Sequence, residues 1–319
     1  MDIRSPEHFN VIQQDWSAHA AERAASVVDV HIPDEGALMV GEYSIDALLP
    51  PEMARKAENI GVQKAESPAS SMFTLAILAG AFIALGAMFA TIVATGTAGS
   101  IAFGVSRLLV GLAFCLGLIL VVVGGAELFT GNNLIVMAWA SRRVTTKGLL
   151  RSWAIVYTGN LVGALGTVLL VFLTRQYTAA GGSVGTTALS IADAKVSLGF
   201  LQAVALGILC NILVCLAIWL SFSARSTVDK IAAIIFPITA FVAAGFEHSV
   251  ANMYFIPMGL AIKQFDPVFA ATSGVSLADL TWQNFLASNL LPVTIGNIVG
   301  GSLFVAAVYW LVFLRGARS

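Results

Sequence analysis

Four histidines occur in the chain, and three of them, His8, His19 and His31, fall within the first 31 residues. The fourth, His248, stands alone in the string Gly245-Phe-Glu-His-Ser-Val-Ala-Asn252, flanked by long apolar runs. An imidazole titrates near pH 6.5, so it can pass a proton or offer one to an anion. In a soluble core a lone histidine is usually a satisfied polar residue. In a membrane an ionisable side chain is costly and marks a pathway or a proton relay. No second histidine and no cysteine at ligand spacing accompanies His248, so its surroundings do not read as a metal site. Neither a hydrolase triad nor a haem pair can be assembled around it. No cofactor is implied, and the chain reads as a non-enzyme. Cys115, Cys210 and Cys215 lie in apolar runs and read as small hydrophobes.

A second string echoes the first. Gly125, Glu127 and Asn132 fall at offsets 0, 2 and 7, as do Gly245, Glu247 and Asn252. Glu127 and Glu247 suit either of two roles: carrying protons, or accepting backbone N–H bonds where a half-helix begins and so locking the loop. The repetition of the glutamate without a second histidine favours the locking role. Gly159-Asn160-Leu-Val-Gly163 is likewise echoed by Gly296-Asn297-Ile-Val-Gly300. Small residues four apart let helices approach closely, and Asn160 and Asn297 are placed to bond across helices.

These residues need elements to hold them, and the composition says which. Of 319 residues, 58% are hydrophobic and 11% charged, with a mean hydropathy of +0.86. A soluble domain of this size cannot cover that much apolar surface. The chain therefore reads as an all-α integral membrane protein. The net charge of −1 and the lack of a basic tract exclude a nucleic-acid binder. A crossing needs about 20 apolar helical residues, and six stretches supply them: within Ser67–Ser106; from Leu108 to about Ala140, interrupted near Glu127; Ser152–Thr174; Val196–Ala224; Ile231–Ile262, interrupted at Glu247; and within Leu280–Leu314.

The echoes pair spans one to three with spans four to six. Three is odd, so the second repeat is inverted relative to the first, with helices two and five broken at corresponding places. That pattern belongs to membrane transport proteins. Opened backbone survives in a membrane only where it is buried in protein or lines a cavity. Half-helix N-termini then direct positive dipole at that cavity, which suits a small anion.

Charge placement orients the protein. Residues 1–66 hold 12 acids and 5 bases, and residues 67–319 hold 6 acids and 12 bases. Eleven Lys and Arg flank the spans on one side, among them Lys64, Arg142, Arg143, Lys147, Arg151 and Arg315. Only Arg107, Arg175, Lys195 and Lys263 lie on the other. The positive-inside rule then predicts both termini in the cytoplasm, and the inner membrane is the expected location. Residues 1–66 form a cytoplasmic tail before the 67–319 channel domain. Ala-rich Val11–Val28 suits a short surface helix, although a solvated tail fits residues 1–40 equally. Leu48–Ile60 has prolines at a helix start and Gly61 at its end, predicting an interfacial helix near 46–61. The acidic tail is also a candidate docking segment for a cytosolic enzyme.

The strings GAELFTGNNLIV, GNLVGALG, GILCNILVCLAIW and GFEHSVANMYFIPMG resemble the formate/nitrite transporter family. The resemblance runs over about residues 43–319, and residues 1–42 lie outside it. It implies an aquaporin-like protomer in a homopentamer, with one pore per protomer passing formate, nitrite, hydrosulfide or a related weak-acid anion. Formate is favoured because the strings look most like the formate channels. By motif match, Phe114, Leu118 and Leu128 would form one apolar constriction and Phe241 the other. Thr130 would donate to the anion beside His248, Asn211 would add a donor, and Lys195 would attract anions at the periplasmic entrance. Glu127, Glu247, Asn132 and Asn252 would support the half-helix loops. Without the resemblance the four apolar residues are ordinary packing, Thr130 a helix cap and Lys195 an interfacial lysine. Asn211 is a candidate in any case, because an amide in an apolar run is costly.

Two rings of Phe and Leu stop a bare anion but not a neutral acid. The expected mechanism is protonation of the anion, directly or through His248, followed by passage of the neutral acid. The rival is a permanently cationic His248 that only binds anions. A channel for water or neutral solutes is the alternative function.

Overall fold

The structure is a computed structural model that describes residues 47–97 and 99–316. Val11–Val28, read above as a surface helix, lies outside the described residues. Helix α1 spans Pro50–Glu66, opened by two prolines and by Glu52, whose carboxylate accepts the Leu49 N–H at 2.9 Å. Gly61 does not end it. Instead Gly61 lies where α1 crosses the chain at Ile135–Ala138, a Cβ there falling 3.1 Å from that of Ala138. The glycine is used for close approach, so α1 runs on to Glu66.

Helix α2, Ala69–Ala94, and α3, Phe103–Gly124, form the first two spans. The chain then opens at Gly125–Thr130 and resumes as a 3-10 turn, Gly131–Ile135, and helix α4, Val136–Ala140. Helix α5, Thr146–Leu173, is the third span, its N-terminus capped by the Thr145 hydroxyl. A helix that the hydropathy pattern did not announce follows: α6, Ser183–Val196. Then come α7, Phe200–Ser223, and α8, Thr227–Ala244, the latter begun by a Ser226–Asp229 capping box. After the second break come α9, Ser249–Phe265, α10, Pro267–Thr272, and the last span α11, Trp282–Phe313. Two π-helical stretches, Phe285–Leu290 and Val299–Ala307, interrupt α11. Six of these helices are long and apolar enough to cross a membrane. The chain is an all-α, multi-pass membrane protein of two inverted three-span repeats. Large apolar side chains such as Phe103, Leu201 and Phe236 are about 80% exposed on its flanks (79%, 81% and 80%).

The repeat is visible bond by bond. Gly125 and Gly245 end α3 and α8 with φ of 73° and 78°, a conformation that favours glycine. The next N–H turns back to Val121 O in one half and to Phe241 O in the other, both at 3.0 Å. Glu127 N–H then reaches Leu75 O, and Glu247 N–H reaches Leu206 O. Asn160 on α5 accepts the Phe129 N–H and donates to Ala76 O and Glu127 O. Asn297 on α11 does the same for Ser249 N–H, Gly207 O and Glu247 O. Each asparagine thus satisfies opened backbone that has no water to turn to. Tyr157 and Thr294, equivalent positions of the two halves, meet hydroxyl to hydroxyl at 2.8 Å, so the pseudo-twofold axis passes between them.

Candidate functional site

The two breaks meet in the middle of the protomer. Thr130, from the first break, has its Oγ1 3.0 Å from His248 Nε2, from the second. Both side chains are buried. Thr130 occupies the N-cap position of its 3-10 turn without making a side-chain cap bond. Its hydroxyl oxygen meets the histidine instead. His248 is itself the N-cap of α9: Nδ1 accepts the Ala251 N–H at 3.0 Å. An accepting Nδ1 places the ring proton on Nε2, so the network assigns Nε2–H as donor to Thr130 Oγ1. The Thr130 O–H is then left to donate to a third group. A second ring proton belongs on Nδ1, where the Ala251 N–H already points, so charging the imidazole requires releasing that cap.

A cavity lies on each side of this pair. One, of about 350 Å³, is lined by Arg107, Phe114, Lys195, Phe241, His248 and Phe255 among others. The other, of about 220 Å³, is lined by Lys64, Val121, Glu127, Leu128 and Asn132 among others. The four apolar residues divide differently from the expectation. Phe114 packs edge-on against Phe241, with ring centroids 5.6 Å apart, and both line the Lys195 cavity. Leu128 lines the opposite one, and Leu118 is buried in the core. Phe114 joins Phe241 because α3 and α8, the first segments of the two broken spans, pack side by side. Phe241 also stacks on His248 at 6.0 Å.

Lys195 lines its cavity, but it is not a free cation. Its Nζ lies 2.7 Å from Glu247 Oε1 and 5.3 Å from the centre of the Phe255 ring. Lys64 holds Glu127 in the same way at 2.9 Å and also donates to Asn132 Oδ1. Among the described residues neither glutamate carboxylate accepts a backbone N–H. Each takes a lysine and the asparagine five residues on, Asn132 or Asn252, at 2.7 Å. A lysine supplies more charge compensation than an amide can, and two side-chain donors leave the backbone amides to Asn160 and Asn297.

Asn211 is buried on α7, and its amide donates to Asn297 O at 2.7 Å and Thr130 O at 3.3 Å. Both hydrogens are committed to backbone carbonyls, so Asn211 holds the Thr130 loop and has no hydrogen left for an anion. Its Oδ1 has no partner among the described residues.

Three residues escaped the sequence reading. Along the sequence Lys64 reads only as a charge beside span one, yet it stands 131 residues before Lys195, the separation that also relates Leu75 to Leu206. Arg107 donates to the Ala243 and Val242 carbonyls at the end of α8 and brings a second cation to the Lys195 cavity. Asn289, on the first π-helical stretch, accepts from Asn252 and donates to Lys195 O and, at 3.4 Å, to Glu247. Nothing local marks Asn289, because its partners come from three other elements.

The sequence profile of the formate/nitrite transporter family matches residues 51–311. The formate channel FocA of Escherichia coli K12 is 48% identical over 281 residues, 87% of this chain and 98% of the relative. FocA of Haemophilus influenzae is 43% identical over 263 residues, 81% of this chain and 92% of the relative. Among solved structures, a pentameric formate channel with formate bound superposes with a TM-score of 0.73 at 49% identity, covering 77% of this chain and 98% of that one. An FNT family ion channel gives 0.66 at 28% identity, covering 82% and 97%. The chain belongs to the formate/nitrite transporter family.

Proposed function

We propose that this protein conducts formate across the inner membrane as a homopentamer, with both termini in the cytoplasm. The observation that carries the reading is the Thr130–His248 pair between two cation-bearing cavities. Relatives named formate channels at 48% and 43% identity, and a pentameric structural neighbour, support the substrate and the assembly. The apolar flanks suit contact with lipid and with sister protomers. Nitrite is the second substrate that the family description offers.

Formate enters the outer cavity, where Arg107 and the Lys195–Glu247 pair hold it at low cost in hydration. It meets the Thr130 O–H beside Phe114 and Phe241. A bare anion stalls against these rings, because leaving water for an apolar ring costs far more for a charge than for a neutral acid. A proton taken from the outer solution converts it to formic acid, which passes Leu128 into the inner cavity and gives the proton up again on the cytoplasmic side. The bond from Ala251 N–H to His248 Nδ1 supports an uncharged imidazole that steers the acid, and it opposes a permanently cationic one. A proton relayed through His248 requires the Ala251 cap to open and close in each cycle.

The test is flux of formate, nitrite, hydrosulfide and lactate in the same proteoliposomes, across pH, for the wild type and His248→Asn. Formate flux that rises as pH falls and is competed by nitrite is expected. Unchanged pH dependence in His248→Asn would remove the histidine from proton transfer. Water or glycerol flux untouched by formate would overturn the anion reading altogether. The acidic tail is proposed to dock a cytosolic enzyme. Undiminished partner recovery after deleting residues 1–66 would argue against it.

A further inference from the structure

Away from the pore, the loop joining α4 to α5 and the end of α11 enclose a surface cavity of about 580 Å³. Its walls include Trp139, Trp310, Arg142 and Thr146. Both indole N–H groups are already used, Trp139 on Thr146 Oγ1 and Trp310 on Ser141 Oγ, each at 3.0 Å. What the rings turn to the cavity is therefore apolar face. Arg142 sits at φ 59°, a conformation that L side chains rarely adopt and that glycine would fill without strain. It occupies the turn that ends α4, donating its N–H to Trp139 O at 2.8 Å. The turn alone favours glycine at this position, so replacing the arginine by glycine removes the side chain and keeps the turn. Arg175, the other arginine at positive φ, is engaged electrostatically with Tyr177 and Asp266. The Arg142 guanidinium is exposed and has no partner among the described residues, and the same holds for nearby Lys147. The next residue, Arg143, is already taken by Glu58 and Asn59.

We infer that this cavity binds the headgroup of an anionic glycerophospholipid of the cytoplasmic leaflet. Arg142 meets the phosphate, Trp139 and Trp310 pack against the glycerol and the first methylenes, and exposed Lys147, next in sequence to the lining Thr146, adds positive charge from outside the cavity. The chemistry is that of basic pockets between transmembrane helices bordered by interfacial tryptophans. An unpaired arginine beside two aromatic walls matches a negative group tethered to an apolar chain. The cavity suits a free phosphate less well, since nothing in it would then use the two rings. The assignment of this face to the cytoplasm rests on the topology proposed above. The site itself does not, because headgroups border both faces.

The experiment uses the full chain in detergent, titrated with short-chain phosphatidylglycerol, phosphatidylcholine or glycerol 3-phosphate and followed by native mass spectrometry and melting temperature. Phosphatidylglycerol is expected to bind and raise the melting temperature, and phosphatidylcholine to do so weakly. Arg142→Gly is the informative variant, because glycine relieves the φ strain and the fold is retained. Each cation contributes about 1 kcal/mol to anionic lipid binding, so Arg142→Gly should bind about fivefold more weakly and Arg142→Gly with Lys147→Gln about twenty-fivefold. Equal binding by the wild type and both variants would overturn the proposal. Protection by glycerol 3-phosphate equal to that by the lipid would overturn it in favour of a free anion. Failure of formate flux with lipid binding intact would count against the channel reading alone.

Discussion

Lys64 and Lys195 stand 131 residues apart, and each holds the glutamate of its own half-site, Glu127 at 2.9 Å and Glu247 at 2.7 Å. The two pairs are related by the inverted repeat, so the repeat unit is a short helix followed by three spans: α1 with the first half and α6 with the second. They are not equally buried. The side chains of Lys195 and Glu247 are 16% and 6% exposed, against 29% and 13% for Lys64 and Glu127.

That difference orders the cost of breaking them. A buried charge left without its partner costs about 3–5 kcal/mol. Lys195→Met strands Glu247 and is expected to approach that range. Lys64→Met should cost less, since water reaches Glu127 more readily. Thermal melting of the two variants in detergent checks the order, and Lys195→Met with Glu247→Gln should recover most of the loss. An equal drop for both single variants would show that burial does not set the cost.

Thr130 has its hydroxyl proton free for substrate once His248 Nε2–H donates to its oxygen. A hydrogen bond to a charged group contributes about 1.5–3 kcal/mol, so Thr130→Val should lower formate flux roughly ten- to a hundredfold. Thr130→Ser, which keeps the hydroxyl, should retain most of it. A valine variant with serine-like flux would remove the donor from the mechanism.

Asn211 holds the carbonyls of Thr130 and Asn297 through its amide. Replacing it by leucine leaves two buried acceptors bare, at about 1–3 kcal/mol each. Asn211→Leu is expected to melt several degrees lower, with formate competition by nitrite unchanged in rank. An unchanged melting temperature with lost formate saturation would mean that the amide serves the anion.

Outside the spans, Asp266 accepts the Tyr177 hydroxyl at 2.8 Å and the Phe269 N–H at 3.1 Å. Chiefly the Tyr177 bond, then the Phe269 N–H, holds its carboxyl below the ordinary carboxylate range, with Arg175 adding a smaller pull. A lowered folded pKa stabilises above the unfolded value, near 3.9, and is lost as pH falls through the folded one. The wild-type melting temperature should therefore fall in acid more steeply than that of Asp266→Asn. Parallel pH profiles would show that this contact adds nothing.

Much was legible along the chain because a membrane leaves few solutions. Stretches of about 20 apolar residues must be helices. Two glutamates, a histidine and two asparagines inside such stretches must be held by something, and that marked both breaks. Repeated spacing of Gly, Glu and Asn exposed the inverted halves. These are local patterns, and local pattern is what an amino-acid sequence by itself determines. The tertiary structure alone decided which groups satisfy which. It turned Lys195 from a free entrance charge into the partner of Glu247 and brought Lys64 into the matching role. It put Phe114 with Phe241 on one side of His248, and Leu128 on the other. It spent the Asn211 hydrogens on backbone. Gly61, read as a helix end, became a point of close approach, and α6, too polar to announce itself as a span, became the mount for Lys195. In each case the deciding contact joins residues from different helices. Only the packed bundle sets which donor each buried acceptor can reach.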